Sequence, residues 1–151
     1  MRVTGSFLYK AQPEIVYTTF TDRDALLHAT PGLYSLTEVA PDQHEAVLKV
    51  GIGGFALVYH GKLKVCERVH GQSYRLLVDA TTHNGAGKAD ATFSFLPHDR
   101  GGTRVEYEAD VELNGAQKLL PTLARGLVDF FMRGMAEWID SGGKPHAAWL
   151  G

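Results

Sequence analysis

The sequence predicts an α+β fold in which a curved antiparallel sheet wraps around one long C-terminal helix. Two observations carry this prediction. From Leu33 to Leu113, apolar and polar residues alternate in short runs separated by turn residues, the pattern of antiparallel strands with one wet face. From Lys118 to Asp140 the period changes. Leu120, Leu123, Ala124, Leu127, Val128, Phe130, Phe131, Met135, Trp138 and Ile139 fall on one side of a helix at about 100° per residue, with Lys118, Arg125, Asp129, Arg133, Glu137 and Asp140 opposite. A helix this one-sided must lie on an apolar surface, and the strands are the elements able to supply one.

The elements follow in order. Val3, Gly5, Phe7 and Tyr9 alternate with Thr4, Ser6 and Lys10, which reads as a first strand. Gln12-Pro13-Glu14 puts proline at a first helical position with an acid beside it, so a short helix starts there with Ile15, Val16, Thr19 and Phe20 on its apolar side. Asp22 is placed to cap a second short helix carrying Ala25, Leu26 and Leu27, and Thr30-Pro31-Gly32 stops it. Leu33 to Val39 is a strand of ambiguous phase. Four further alternating runs centre on Ala46–Ile52, Phe55–Val65, Tyr74–Ala80 and Ala89–Phe95, and a last one on Val105–Leu113. Pro41–His44, His70–Ser73 and Asp99–Gly102 are turns. Gly51-Ile52-Gly53-Gly54 and Gly85-Ala86-Gly87-Lys88 lack the spacing and strand-to-helix setting of phosphate loops, and read as breaks or bends between strands. Pro121 costs ~3 kcal/mol inside a helix, so the final helix kinks there or begins near it.

Composition bounds the function. With 151 residues, 44% hydrophobic and 21% charged, the chain fits one ordinary domain, residues 1–141, and a short Gly/Pro-containing tail, 142–151. A net charge of −2 gives no electrostatic reason for nucleic-acid binding. No run approaches the ~20 apolar residues that span a bilayer, and the N-terminus runs into a strand without the apolar core of a signal peptide. The single cysteine, Cys66, excludes an internal disulfide and fits a reducing cytoplasm.

Catalytic constellations are not visible. Asp79, Asp90, Glu106, Glu108, Asp110 and Glu112 all take the polar phase of their strands, so no carboxylate pair faces inward. The seven histidines have no metal-ligand spacing, and neither metal nor cofactor is expected. His44, His70 and His98 read as solvated beside turns and His60 as outward. His28 and His83 are the two in reach of a pocket mouth. The inward phase, by contrast, holds many small residues: Gly5, Gly61, Ala80, Ala89, Ala91 and Ala109, with Gly134 on the helix. Either helix and sheet approach closely there, or the space belongs to a ligand. The inward polar groups, Tyr9, Tyr59, Tyr74, Tyr107 and Thr82, either serve a ring-bearing ligand or span the core edge with hydroxyls in water.

Several stretches resemble the CoxG-like family of carbon monoxide dehydrogenase subunits, within the START-like (SRPBCC), helix-grip superfamily. They are Gly5-Ser6-Phe7, Pro13 with Val16, Thr30-Pro31-Gly32 leading to Ser35–Val39, Tyr59–Leu63, Gly85–Ala89, Gly102–Asp110 and Val111–Gly115. The resemblance implies a seven-stranded sheet gripping the C-terminal helix over a deep apolar cavity. It implies a non-catalytic protein that binds a lipophilic ligand, quinone-like or lipid, and links a molybdenum hydroxylase such as carbon monoxide dehydrogenase to the inner face of the membrane or its quinone pool. Candidate ligand contacts are then Phe7, Leu57, Tyr59, Gly61, Ala89, Ala91, Tyr107, Ala109, Leu123, Leu127, Phe130, Phe131 and Gly134. The superfamily also holds polyketide cyclases and assembly factors, which are the alternatives. Longer family members continue into an apolar membrane-directed segment, whereas Trp149 and Leu150 alone bury too little area for stable anchoring; membrane contact is expected to be transient.

Overall fold

The computed structural model describes residues 1–52, 55–83, 85–115 and 121–143; side chains at 50–57 and 115–125 lie outside that description. The order is β1 (Arg2–Tyr9), α1 (Pro13–Phe20), α2 (Arg23–Ala29), β2 (Leu33–Ala40), β3 (Gln43–Ile52), β4 (Phe55–Val69), β5 (Ser73–Thr82), β6 (Gly85–His98), β7 (Gly102–Gly115) and α3 (Pro121–Asp140). The seven strands form one curved antiparallel sheet in the order β1-β7-β6-β5-β4-β3-β2. β2 to β7 make a meander, and β1 closes the far edge by pairing with β7, Gly5 opposite Tyr107. The turns are short and have the backbone their residues favour: Asp42 (φ 59°), Gly71 (φ 72°), Arg100 (φ 60°) and Gly101 (φ 78°) all take left-handed conformations.

Several local expectations change. The ambiguous phase of β2 has a physical cause: register shifts between Leu33 and Ser35 and between Glu38 and Ala40 break the two-residue period. Gly85–Lys88 is not a bend. It lies within β6 and pairs on both sides, Gly87 opposite Ala80 and Leu113. Asp22 occupies the N-cap of α2 without a side-chain cap bond, and its carbonyl instead accepts from the Leu26 amide at 3.0 Å. On α1 the buried residues are Val16, Tyr17 and Phe20, while Ile15 is 51% exposed. The described part of α3 begins at Pro121, where proline's missing amide is harmless; Lys118 to Leu120 lie outside the described residues.

One end of the sheet's concave face is filled. Tyr9, Tyr17, Phe20, Tyr74, Phe95, Val105, Met132 and Met135 form the core, with Phe93 and Phe131 packed against it. The rings meet mainly edge to face: Phe20 lies 5.2 Å from Phe95 and 5.6 Å from Phe131. Helix α3 is anchored there by the Tyr9 hydroxyl, which donates to the Met132 carbonyl at 2.8 Å. It is anchored on α2 by Gly134, where a Cβ would stand 2.9 Å from the Ala29 Cα. The α2 helix in turn covers edge strand β2, and Arg23 Nε donates to the Leu36 carbonyl at 2.7 Å.

The convex face is solvated and charge-matched. Glu45, Lys62, Asp79, Lys88 and Glu112 stand opposite one another on successive strands with alternating sign. Arg75 holds Asp90 by a double contact, 2.8 Å at Nε, which keeps the Asp90 carboxyl below the usual carboxylate range. The acidic residues assigned to the polar phase of β5, β6 and β7 are thus on the face away from the helix.

Candidate functional site

The cross-strand register separates the concave face into two halves. One row reads Gly5, Tyr107, Phe93 and Tyr74, and its neighbours carry Phe7, Val105, Phe95 and Tyr9. This half is aromatic and packed. The other half is built from small or aliphatic side chains. Its rows read Val3, Ala109, Ala91, Leu76, Val65; then Val111, Ala89, Val78, Leu63; then Leu113, Gly87, Ala80, Gly61, Ala46. Strand alternation puts all of these on the side that faces the helices. Ala91 and Ala46 are buried, but Ala109, Ala89, Val78, Leu63, Leu113, Gly87, Ala80 and Gly61 keep partial exposure. A Cβ added at Gly61 would make only ordinary contacts among the described residues, the nearest 3.7 Å away at Ala80, so the backbone there is not pressed by a close neighbour. Among the described residues, helix α3 packs chiefly on α2, with smaller contacts to β1 and α1, and does not press onto the middle strands in the same way. The concave face thus has an apolar floor that its own helix leaves partly uncovered.

The sequence-derived contacts fall into distinct groups. Tyr59, Gly61, Ala89, Ala91, Tyr107 and Ala109 share the concave face, and Gly61, Ala89, Ala91 and Ala109 lie within the small-residue half. Phe7 and Phe131 belong to the packed half: Phe7 lies 5.0 Å from the Tyr9 ring, and Phe131 stands edge-on to Phe20. Gly134 is a helix–helix contact against Ala29 rather than a wall of the floor. Leu127 and Phe130 are 38% and 51% exposed, and Phe130 lines a groove between α3, α2 and the start of β2. The apolar arc of α3 is wider than the strip touching the core, and Met132, absent from the expected arc, is buried at its centre. The side chains of Leu57 and Leu123 lie outside the described residues. Leu63, Val78 and Gly87 join the floor in addition to the expected residues, and the same two-residue alternation marks them.

Three of the polar groups of this face, Thr82, Tyr9 and Tyr74, are already engaged. Thr82 Oγ1 donates to the Val58 carbonyl at 2.8 Å. Tyr9 donates to Met132, and the buried Tyr74 hydroxyl lies 3.5 Å from the Phe20 carbonyl, so neither hydroxyl reaches water as the core-edge alternative required. Burial raises both phenol pKa values well above the ordinary tyrosine range. His28 sits in the α2–α3 groove, its ring 5.2 Å from Trp138 and its Nε2 3.8 Å from a Glu137 oxygen. His83 is exposed. His44 departs from the solvated reading: it lies in β3, opposite Leu63, and its Nε2 is 3.6 Å from Glu38. Among the described residues no group of three His, Cys, Asp or Glu is arranged to hold a metal ion. Among them, too, no helix is long and apolar enough to cross a membrane.

Solved structures share this architecture. A conserved protein from Geobacillus kaustophilus superposes with a TM-score of 0.87 at 23% identity, covering 93% of this chain and 96% of its own. A START superfamily protein from Mycobacterium smegmatis gives 0.74 at 16%, covering 93% and 97%. The Zhui aromatase/cyclase from Streptomyces sp. R1128 gives 0.69 at 12%, covering 98% and 97%. At these identities the likeness concerns the fold, which is START-like. No functionally curated protein matches the chain in sequence. The sequence profile of one family, however, matches residues 5–140. The chain belongs to the CoxG family of carbon monoxide dehydrogenase subunits.

Proposed function

We propose that this protein is a non-catalytic carrier that holds a lipophilic small molecule, quinone-like or lipid, between the sheet and α3. One observation carries the reading: the floor of Gly61, Leu63, Val78, Ala80, Ala89 and Ala109 faces the helices yet stays partly exposed. Apolar surface of this kind gains roughly 25 cal/mol per Å² when covered, and small side chains leave room for a guest. Engaged hydroxyls and outward carboxylates support binding over chemistry. The family's description supports service to carbon monoxide dehydrogenase or a related molybdenum hydroxylase. In this reading residues 1–141 are the binding unit, acting in the cytoplasm with transient contact at the inner face of the membrane.

The test is a fluorescence titration with anilinonaphthalene sulfonate, displaced by a short-chain quinone or a fatty acid. Wild type binds, and Ala89→Trp, which places a ring on the floor, weakens binding by at least about tenfold, equivalent to 1.4 kcal/mol. Absence of displaceable binding, or equal binding by the variant, refutes the carrier reading. A second reading, a cyclase-type enzyme, is favoured by the His44–Glu38 pair in register with Leu63. It requires that His44→Ala abolish turnover of a polyketide-like substrate while probe binding persists.

A further inference from the structure

The middle row of the concave floor, Val111, Ala89, Val78 and Leu63, continues onto β3 at His44. Among the described residues of the three floor rows, so extended, His44 is the one polar side chain. The phase of β3 puts it on the same side as the buried Ala46, with the exposed Gln43 and Glu45 on the other. Its side chain is 17% exposed. Glu38 stands directly opposite on β2, and one of its oxygens lies 3.6 Å from His44 Nε2. That separation is too long for a hydrogen bond, and among the described residues the ring makes none. A polar ring held in an apolar floor without a hydrogen bond costs free energy, which an oxygen on a guest recovers.

We propose that His44 is the polar anchor of the carrier site, hydrogen-bonding a carbonyl or hydroxyl oxygen of the guest, and that with Glu38 it selects uncharged lipophiles over carboxylate-bearing ones. This rests on the carrier reading and adds to it the residue that orients the guest. Apolar pockets fix orientation through a few polar groups, and an imidazole suits either oxygen, donating to a carbonyl or accepting from a hydroxyl. The class of guest follows from the charges. Lys62, Lys64 and Lys88 take the convex phase of β4 and β6. Arg75 and Arg104 take that phase too, beside Asp90 and Glu106. Arg68 is held by both oxygens of Asp42, and Arg23 donates to the Leu36 carbonyl. The basic side chains of the strands that build the floor are thus outward or already paired, while the Glu38 carboxylate stands beside His44. A carboxylate guest would be buried near a like charge with no cation to offset it, a penalty that a neutral oxygen avoids.

The test uses the full chain at neutral pH and follows displacement of an uncharged reporter, N-phenyl-naphthylamine, by guests of one skeleton: tetralin, α-tetralone and tetralin carboxylate. His44→Phe keeps a ring and removes its nitrogens. It is expected to weaken α-tetralone roughly five- to tenfold while tetralin binds at least as well as before. His44→Gln, which keeps a hydrogen-bonding group, retains most of the α-tetralone affinity, a rescue that a merely structural role would not give. Glu38→Gln, at an exposed position, strengthens the carboxylate by at least about threefold and leaves tetralin unchanged. Equal α-tetralone affinity in wild type and His44→Phe, or an unchanged carboxylate affinity in Glu38→Gln, overturns the anchor alone, because tetralin still reports the carrier site. A carboxylate that outcompetes α-tetralone in wild type also overturns it. Failure of every guest to displace the reporter overturns the carrier reading, and the anchor with it.

Discussion

Replacing Gly134 with alanine sets two effects of opposite sign against each other. In an isolated helix the change stabilises, by about 1 kcal/mol, because glycine is the poorer helix former. In this fold the new methyl meets backbone: it would stand 2.9 Å from the Ala29 Cα, 3.0 Å from its Cβ and 3.3 Å from its carbonyl oxygen. None of these atoms is the end of a flexible side chain, so α2 and α3 must separate by several tenths of an ångström. Overpacking of this kind costs about 1–3 kcal/mol. The net expectation is a loss of up to about 2 kcal/mol, which for a domain of this size lowers Tm by up to roughly 8 °C. Thermal unfolding followed by circular dichroism measures it. The double variant Gly134→Ala with Ala29→Gly completes the cycle, and a positive coupling recovers part of the loss. A Tm that rises in Gly134→Ala, or a coupling of zero, refutes the close α2–α3 contact and returns Gly134 to the ligand wall.

Other perturbations read different parts of the fold. Tyr9→Phe removes the buried bond to the Met132 carbonyl and is expected to cost about 1 kcal/mol, seen as a lower denaturant midpoint at unchanged m-value. The raised phenol pKa values of Tyr9 and Tyr74 mean that the unfolded chain releases protons near pH 10 that the folded chain retains. Their contribution is therefore complete below about pH 10 and is lost as pH rises above it, at up to about 1.4 kcal/mol per unit per group. Denaturant midpoints that stay flat between about pH 9 and 11 would contradict this sign. Gly5→Ala places a Cβ within 2.7 Å of the Tyr107 Cζ, displacing a side chain rather than backbone. A modest stability loss of about 1 kcal/mol is expected, with an altered near-ultraviolet spectrum, and an unchanged spectrum would show that Tyr107 does not lie over β1.

The strands of this protein are legible in the sequence because each buries one face, and a two-residue period survives in any curved sheet. Val3, Ala91, Phe95 and Val105 can be assigned to the inner face without coordinates. The same alternation places the carboxylates of β5 to β7 on the convex side. Where the period is interrupted, as at the two register shifts of β2, the sequence carries no phase to read. His44 reads as a turn residue because proximity to Pro41-Asp42 is a local signal. Its partnership with Glu38 and its place opposite Leu63 arise from pairing between strands.

The candidate site divides in the same way. Sequence alone determined that the inner face is rich in small residues and that α3 has one apolar side. It could not determine whether those small residues admit a helix or leave a space, because both solutions have the same composition. The tertiary structure decides residue by residue. Gly134 admits a helix, through its approach to Ala29; at Gly61 a Cβ would meet only Ala80, Asp79 and Leu63 at ordinary contact distance among the described residues. It also decides how α3 is turned about its axis. The hydrophobic arc spans more than the core requires, so periodicity permits several rotations. The Tyr9–Met132 bond and the Gly134–Ala29 contact select the one that buries Met132 and Met135 and leaves Phe130 beside α2. Those contacts join residues more than a hundred positions apart, which is why no local pattern could announce them.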